Sequence, residues 1–283
     1  MKPLVLSGKE PAAQILEEAK RSIELLGRKP VLAIIIVGDY KPSQIYVERK
    51  RKTAEEVGIE TQIHRIPETI SEAKLLELVD KLNRDPKVDG FIAQTPLPKH
   101  VNTNKILERI DPSKDVDGFH PHNMGKVLLN IFDDTMFPPA TPTGAVKMLE
   151  YYGVQFEGKN AVVVGRSNVV GKPAAMMLLH RNCTVTVCHT KTKNLEEFTK
   201  KADIIIAAAG SPGLIKVDMI KPGAYIIDVG TTRVGEKVVG DVDFENVIKK
   251  AHCSPVPGGV GPLTVAMLLS NTVKAALRKS QSN

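Results

Sequence analysis

The stretch that decides the fold is Ala161-Val-Val-Val-Gly165-Arg-Ser-Asn-Val-Val-Gly171-Lys-Pro173. Its first four residues are apolar and mostly β-branched, which predicts a buried strand over 161–164. Gly165 ends that strand, and Gly171 opens an apolar run, 173–179, that is long enough for a helix. A strand, a glycine-flanked turn and a helix together form the element with which doubly wound folds present a phosphate to a helix N-terminus.

The spacing within this turn leaves two interpretations open. It departs from the G-x-G-x-x-G pattern of dinucleotide sites, because Ser167 and Asn168 stand where small residues would. The turn is therefore either a dinucleotide-binding turn or an ordinary tight connection between a strand and a helix.

The next predicted strand, 184–188, bears on which dinucleotide would fit. It ends in His189-Thr190-Lys191-Thr192, without the acid that an NAD site usually places there for the ribose 2′-hydroxyl. A hydroxyl, a lysine and Arg166 in the glycine turn suit a 2′-phosphate, so the sequence predicts NADP as the cofactor. Two further apolar runs, 203–210 and 224–230, end in glycine and complete a four-stranded nucleotide-binding half-sheet.

Composition limits the class of protein. A chain of 283 residues, 42% hydrophobic and 25% charged, is ordinary for one large or two medium globular domains. No run approaches 18 apolar residues and the N-terminus soon becomes polar, so we expect neither a membrane span nor a signal peptide. The three cysteines form no C-x-x-C pair, which favours a reducing cytoplasm. A net charge of +7 fits an anionic ligand or nucleic acid equally well.

The rest of the chain alternates between helical and strand patterns. We predict strands over 31–37, 59–66 and 88–94, and helices over 8–27, 43–58, from Ser71 onward, 104–110, near 124–129, 144–152 and 263–278. Ser43 and Ser71 are predicted N-caps, and Pro262 is predicted at the first position of the last helix. A proline-rich hinge over 138–144 places the domain boundary between about 120 and 145.

Ser43, Tyr46 and Lys50 share one face of the second predicted helix, because they follow one another at i, i+3 and i+7. The surrounding run, Glu48-Arg-Lys-Arg-Lys52, is by charge alone typical of a solvated face. Tyr46 is equally compatible with a core aromatic whose hydroxyl reaches water. Chemistry at Lys50 would require partial removal of its amine from water, which populates the neutral form.

Polar side chains also stand where α/β sheets place their sites. Gln94 ends a predicted strand before the proline turn Thr95-Pro-Leu-Pro98 and either contributes to a site or only hydrogen-bonds that turn. Asp115 and Asp117 lie in a compact turn, 114–119, and both are also typical of Asx turns. The seven histidines form no H-x-x-x-H pair, so no metal site is predicted.

Together these motifs resemble the bifunctional methylenetetrahydrofolate dehydrogenase/cyclohydrolase family. The matching segments follow the family's order over nearly the whole chain: Ser43-x-x-Tyr46-x-x-x-Lys50, Gln94-x-Pro-Leu-Pro98, Lys114-Asp-Val-Asp-Gly-Phe119, Thr141-Pro-Thr-Gly144, Gly165-Arg-Ser-x-x-Val-Gly171-x-Pro173 and Pro255-Val-Pro-Gly-Gly-Val-Gly-Pro262. The resemblance implies oxidation of 5,10-methylenetetrahydrofolate by NADP to the 5,10-methenyl compound. It also implies hydrolysis of that product to 10-formyltetrahydrofolate.

The resemblance also implies an architecture. We expect an α/β protein of two domains, each a mostly parallel sheet with flanking helices, the C-terminal one Rossmann-like, with a cleft between them. Residues 1–140, completed by the helix at 262–283, would form the folate-binding catalytic domain, and 141–261 the NADP-binding domain. A cytoplasmic homodimer formed through the NADP-binding domain is expected.

The roles of individual residues follow from the same resemblance. Lys50 is expected to be the catalytic lysine with Gln94 as its partner, while Tyr46 stacks on the folate ring and also belongs to the catalytic group. Asp117 is expected to hydrogen-bond the pterin. Further substrate contacts are expected at Ser43, Pro257, Gly258 and Gly259, and cofactor contacts at Gly165, Arg166, Ser167, Gly171, Thr190 and Thr231.

The chain differs from the family's usual residues at three positions. Thr231 stands where the family commonly has an isoleucine that contacts the nicotinamide half, and Thr95 stands where leucine is usual. At Thr190 the family often has a serine that binds the 2′-phosphate.

Two other functions compete with this one. Another two-domain NADP enzyme, similar to shikimate dehydrogenase, gives no reason for Lys50 and Gln94 to occur together with the loop at 255–262. A nucleic-acid binder using the run 48–52 would need exposed aromatics along a basic face, and only 4% of the residues are aromatic. We therefore expect tetrahydrofolate derivatives as ligands and no nucleic acid or membrane partner.

Overall fold

The structure is a computed structural model and describes residues 2–235 and 237–281. The chain divides into two compact units. The first, here called the glycine-turn unit, contains the residues up to Ala13 together with Pro139–Met267. The second, the lysine unit, contains Gln14–Pro138 and the residues from Leu268 onward. Two helices, α1 (Lys9–Leu26) and α10 (Val260–Gln281), contain residues of both units.

A three-stranded parallel sheet forms the centre of the lysine unit, in the order β2-β1-β3. Its strands are β1 (Val31–Val37), β2 (Glu60–Ile66) and β3 (Gly90–Ala93). In register, Val31 lies opposite Glu60, and Leu32 lies opposite Gly90. The central strand β1 is buried along its whole length, whereas β2 is the more exposed edge strand that its polar sequence predicts.

Four helices accompany this sheet: α2 (Lys41–Val57), α3 (Glu72–Arg84), α4 (Thr103–Arg109) and α5 (Pro121–Leu128). The core lies where one face of β1 and β3 meets α3 and α4, with Ile35, Phe91 and Ile106 among its buried side chains. The predicted cap of α3 is confirmed, because the Ser71 hydroxyl accepts a hydrogen bond from the backbone N–H of Lys74 at 3.3 Å.

The predicted N-cap at Ser43 is wrong. Helix α2 begins at Lys41 after Tyr40, whose side chain makes no capping hydrogen bond, so Ser43 lies inside the first turn and is buried. Pro42 explains the earlier start, because proline in the first turn gives up an N–H that would have no helical partner. The predicted end is confirmed by Gly58, which adopts a left-handed conformation with φ 92°.

A five-stranded parallel sheet forms the centre of the glycine-turn unit, in the order β10-β7-β6-β4-β5. Its strands are β4 (Asn160–Val164), β5 (Thr184–Cys188), β6 (Ile204–Ala207), β7 (Tyr225–Asp228) and β10 (His252–Cys253). They are accompanied by α6 (Ala140–Tyr151), α7 (Gly171–Leu179), α8 (Leu195–Thr199), α9 (Phe244–Val247) and an antiparallel hairpin of β8 (Thr232–Val234) and β9 (Lys237–Val239). The four strands predicted from the sequence are confirmed, and β10 adds a fifth.

Two helix starts also differ from the sequence prediction. Helix α6 begins at Ala140 rather than Gly144, so Pro142 lies in its first turn. Helix α10 begins at Val260, which makes Pro262 its third residue rather than its first. Both differences have one cause: the first four N–H groups of a helix have no partner within it, so proline is tolerated throughout the first turn.

Helix α10 is long and apolar enough to cross a membrane by length and composition alone. In the structure, 61% of its most apolar window is buried within the protein. That is the pattern of a core helix.

Candidate active site

Helix α2 places the predicted face of Ser43, Tyr46 and Lys50 in the lysine unit. Ser43 and Lys50 are 5% and 7% exposed, and Tyr46 is half-buried. A lysine is almost never this buried without a partner for its ammonium group. The structure therefore singles out Lys50 from the charged residues around it.

Arg51, next to Lys50, forms ion pairs on the helix surface. The Arg51 guanidinium donates to both carboxylate oxygens of Glu48 and also pairs with Glu55 at 2.8 Å. Arg49 and Lys52 are exposed. The charged residues around Lys50 are thus partly or fully exposed, as the charge pattern favours, and Lys50 is the buried exception among them.

Gln94 holds the amine of Lys50. The Lys50 Nζ donates to Gln94 Oε1 at 3.0 Å, and Gln94 Nε2 donates to the carbonyl oxygen of Thr95 at 3.0 Å. The Gln94 backbone N–H donates to Ile35 at the end of β1. Both ends of the amide are therefore fixed, and its oxygen faces the amine. Gln94 bonds the turn, as one interpretation predicts, and it also accepts from the Lys50 amine; its part in a reaction site stays a prediction.

Asp117 provides the charge that acts on this amine. Burial lowers the pKa of Lys50, while the Asp117 carboxylate raises it, and burial prevails. In turn, removal from water raises the pKa of Asp117, and the Lys50 ammonium lowers it. No direct ion pair joins the two side chains within the described residues. Both groups thus remain available to a ligand, with an amine whose neutral form is more accessible than that of a surface lysine.

The two aspartates of the 114–119 turn play different parts. Asp115 is buried, and its carboxylate accepts hydrogen bonds from the backbone N–H groups of Phe119 and His120 and from the Asn123 amide. It is a turn-forming residue, as the Asx pattern predicts. Asp117 accepts no hydrogen bond from any described residue. Its free carboxylate oxygens therefore suit a ligand that carries N–H donors.

The glycine turn of the other unit is built by its backbone. Gly165 has φ 131°, and a Cβ there would collide with the carbonyl oxygen of Ala208. A Cβ on Gly171 would collide with the carbonyl oxygen of Gly165. The Ser167 hydroxyl accepts from the N–H groups of Val170 and Gly171, at 3.2 and 3.3 Å, and so holds the turn closed where α7 begins. The two glycines are thus required by close approach, and the turn presents a helix N-terminus.

The side chains around this turn are open to solvent. Arg166, Ser167, Thr190 and Thr231 are exposed, and Arg166 has no hydrogen bond or ion pair within the described residues. The segment after β5 is organised by the Thr192 hydroxyl, which accepts from the His189 N–H at 2.9 Å. An unpaired guanidinium and a strand end without an acid fit a dinucleotide that carries an extra phosphate.

Two buried carboxylates that the sequence analysis missed hold the neighbouring strand ends. Asp241 accepts from three successive backbone N–H groups, those of residues 209–211, after β6. Asp228, at the end of β7, accepts from the N–H groups of Gly230, Asp241 and Val242. Burial raises the pKa of Asp228 to about 6. An aspartate directly after a buried apolar run was the signal for Asp228; nothing local marks Asp241.

The proline- and glycine-rich loop at 255–262 is held within the glycine-turn unit. Gly8 N–H donates to the carbonyl oxygen of Gly258 at 2.9 Å. A Cβ on Gly8 would collide with the Gly259 carbonyl oxygen, and one on Gly259 would lie 2.5 Å from that of Pro255. The glycines are thus required by packing within this unit. Contacts of Pro257, Gly258 and Gly259 with substrate stay a prediction.

No metal-binding cluster occurs among the described residues, and one cavity of the lysine unit is lined by residues other than Lys50, Gln94 and Asp117. Across residues 2–235 and 237–281, no group of three His, Cys, Asp or Glu side chains is arranged to hold a metal ion. A cavity of about 530 Å³ lies at the amino-terminal edge of the lysine unit's sheet, lined by Arg28, Lys29, Val31, Glu60, Gln62, Pro86, Lys87, Lys279 and Ser280. Parallel sheets place their sites at the opposite, carboxyl-terminal edge, where Gln94 lies.

Comparison with known families covers both parts of the chain. Residues 6–117 match the family described as tetrahydrofolate dehydrogenase/cyclohydrolase, catalytic domain. Residues 139–280 match the NAD(P)-binding domain of the same family.

Individual proteins match over nearly the full length. A bifunctional protein FolD of a Nitratiruptor species is 50% identical, over 98% of this chain and 99% of its own. The crystal structure of a bifunctional FolD from Campylobacter jejuni is 48% identical with a TM-score of 0.93, covering 97% of this chain and 98% of its own. A Trypanosoma brucei FolD, complexed with NADP cofactor and inhibitor, is 36% identical with a TM-score of 0.95, covering 99% of both chains.

Proposed function

This chain belongs to the tetrahydrofolate dehydrogenase/cyclohydrolase family, and we propose that Lys50, Gln94 and Asp117 form its folate reaction site. The enzyme is bifunctional: it oxidises 5,10-methylenetetrahydrofolate with NADP and hydrolyses the resulting 5,10-methenyl compound to 10-formyltetrahydrofolate. The observation that carries the site assignment is the buried Lys50 amine, hydrogen-bonded to Gln94 and within the field of a free Asp117 carboxylate.

The hydrolytic step needs a base, and Lys50 supplies it. Its neutral amine takes a proton from the attacking water as the oxygen bonds to the bridging carbon. The added hydroxyl then gives up its proton and becomes the formyl carbonyl as the bond from that carbon to N5 breaks. N5 takes up a proton and the formyl group stays on N10, so one proton is released overall. Gln94 orients the amine without adding charge, so it does not raise the pKa of Lys50 as a carboxylate would.

Substrate orientation falls to the groups around Lys50. The Asp117 carboxylate accepts N–H groups of the pterin, and the half-buried Tyr46 ring, one turn before Lys50, stacks on the folate ring system. Ser43 completes this face. Positioning of the substrate is the protein's main contribution to the redox step.

A bound NADP would supply the hydride acceptor for the redox reaction. The chain's own residues fit the cofactor: Gly165 and Gly171 bring the backbone of the turn close, and the start of α7 offers N–H groups to a phosphate. Arg166, Ser167 and Thr190 bind phosphate oxygens, including those of the 2′-phosphate. Thr231 contacts the nicotinamide half of the cofactor. On this assignment 141–261 is the cofactor domain, and 1–140 with 262–283 is the folate domain; the residues up to Ala13 and 262–267, however, belong to the glycine-turn unit.

A cytoplasmic homodimer formed through the cofactor domain completes the proposal. Strand β5 is an edge of its sheet, where Val187 is 37% exposed, and Leu179 on the adjacent helix α7 is 48% exposed. Exposed apolar groups at a sheet edge favour pairing with a second copy. The three cysteines are free and buried, as suits a reducing compartment. Light scattering on the purified chain should give the mass of two copies, and Val187→Asp should lower it to one.

The direct test follows formation of methenyltetrahydrofolate by absorbance, with NADP or NAD as oxidant. We expect a higher kcat/KM with NADP and, without oxidant, enzymatic hydrolysis of added methenyltetrahydrofolate. Equal turnover with both cofactors would contradict the assignment of Arg166 and Thr190. Hydrolysis no faster than the spontaneous rate would contradict the base role of Lys50.

A further inference from the structure

Three sets of contacts fix the turn that carries Asp117, and they are made by groups that do not face Lys50. On one side, the buried Asp115 carboxylate receives His120 N–H and the Asn123 amide at 2.8 Å each and Phe119 N–H at 3.2 Å. Asn123 is itself fixed, because its amide oxygen accepts from Phe137 N–H at 3.2 Å. The residues after Asp117 are thus tied back to the residue two positions before it.

A second set of contacts comes from Asn271 on helix α10. Asn271 is 3% exposed, and its amide donates to the carbonyl oxygen of Val116 at 2.9 Å and to that of Pro138 at 3.0 Å. Val116 is the residue between the two aspartates. An amide 155 positions away in sequence therefore fixes the peptide that leads directly into Asp117.

In the third set of contacts, the 114–119 turn packs against β3. Phe91 N–H donates to the carbonyl oxygen of Lys114 at 2.9 Å, and the buried Val116 side chain lies where a Cβ on Gly90 would be. The turn is thereby attached to the strand that ends in Gln94, the partner of Lys50. Because one strand carries both connections, a small displacement of the turn changes the separation of Asp117 from the amine.

We propose that Asp115 and Asn271 are positioning residues for the hydrolytic reaction, acting through the placement of Asp117 relative to Lys50. This inference rests on the proposed function of Lys50. Asp117 is the ionisable group that raises the pKa of the Lys50 amine, and Lys50 is the one that lowers the pKa of Asp117. A loosened turn therefore weakens their interaction without removing either group.

The rate of hydrolysis should rise with pH as the Lys50 amine loses its proton, and this rise is the alkaline limb of the pH profile. When Asp117 moves away, the pKa of Lys50 falls, so the alkaline limb moves to lower pH. The pterin contact weakens at the same time, and KM for the folate rises. A role confined to stability would lower the amount of folded enzyme but leave the limb in place.

The experiment measures methenyltetrahydrofolate hydrolysis against pH, corrected for the spontaneous rate, for Asn271→Ala and Asp115→Asn, each alone and combined with Asp117→Asn. Asn271→Ala changes no charge, so its effect on the limb cannot be a direct electrostatic one. Ser270→Ala on the same helix and Asp111→Asn in the preceding exposed turn are the matched controls. The Asp111 carboxylate accepts from the Ser113 N–H and hydroxyl, and its charge acts on the Lys114 amine rather than on Lys50 or Asp117.

We expect Asn271→Ala to move the limb to lower pH by about one unit or less, and the controls to leave it unmoved. Asp115→Asn also removes a carboxylate whose pKa burial raises to about 7 and which interacts with Asp117, so Asn271→Ala is the variant that decides the sign. In the Asp117→Asn background neither change should move it further. Should Asp115→Asn fail to fold, Asn271→Ala decides the matter. An unmoved limb in Asn271→Ala, or an equal shift with and without Asp117, would overturn the inference. A limb that survives in Lys50→Met would instead refute the base role of Lys50, which separates the two failures.

Discussion

The turn at 114–119 and the turn at 165–171 are both short connections at the edge of a parallel sheet, yet they are built in opposite ways. The first is made by buried side chains whose hydrogen bonds leave Asp117 free beside Lys50. The second is made by backbone crowding at two glycines, and its side chains lie in solvent. The difference matches the chemistry: a base must have its pKa adjusted by burial, whereas a phosphate needs backbone N–H groups and accessible charge.

Removal of the Lys50 amine is expected to have the largest effect on the difference between the two turns. Lys50→Met keeps the apolar stem of the side chain and should lower cyclohydrolase activity by about 10²–10⁴-fold. NADP affinity, set by the glycine turn, should be unchanged. The measurement is hydrolysis of methenyltetrahydrofolate alongside calorimetric titration with NADP.

Lys52→Met, on the exposed side of the same helix, is the matched control and should behave as the unmutated chain. Near-normal hydrolysis by Lys50→Met would show that the buried lysine is structural.

A smaller effect comes from adding charge beside the amine. Gln94→Glu places a carboxylate where an amide oxygen now accepts from Lys50 Nζ, and an opposite charge at this range raises a pKa by about 1–3 units. The neutral amine is then scarcer at pH 7, so hydrolysis should fall by about 10- to 1,000-fold and the rising limb should move to higher pH.

The control is Gln14→Glu, at an exposed position of α1, which should leave the profile in place. A limb that stays in place in Gln94→Glu would mean that another group titrates.

The smallest effect is expected at the exposed turn. Arg166→Ala should weaken NADP use by about 10–100-fold, since a charge-assisted hydrogen bond to the 2′-phosphate contributes about 1.5–3 kcal/mol. NAD use and hydrolysis should stay nearly unchanged. Steady-state kinetics with both cofactors test this, with Lys201→Ala as a surface control in the same unit. Equal loss with NADP and NAD would show that Arg166 supports the turn rather than the extra phosphate.

The elements of both sheets were predictable, because apolar runs ending in glycine or in a polar residue mark buried strands locally. The helix starts near Pro42, Pro142 and Pro262 were missed by two to four residues, since proline fits several positions of a first turn. Lys50 and Gln94 were identified, but only the structure separates Lys50 from the paired charges beside it.

The contacts that fix the Asp117 turn could not be predicted from the sequence. Asn271 reaches Val116 across 155 positions, and an isolated asparagine in an apolar helix carries no pattern that reveals its partner. Asp115 and Asp117 look alike in sequence, because burial and hydrogen bonding distinguish them only after folding.

The central claim is that the lysine unit adjusts the pKa of one amine. It is tested most directly by NMR titration of the labelled lysine side chains, with the Lys50 signal assigned by its loss in Lys50→Met. We expect Lys50 to titrate below the ordinary value of about 10.4 and lower still in Asp117→Asn, because burial lowers its pKa and Asp117 partly opposes that effect. A Lys50 signal that titrates with the surface lysines, and does so equally in Asp117→Asn, would contradict the account.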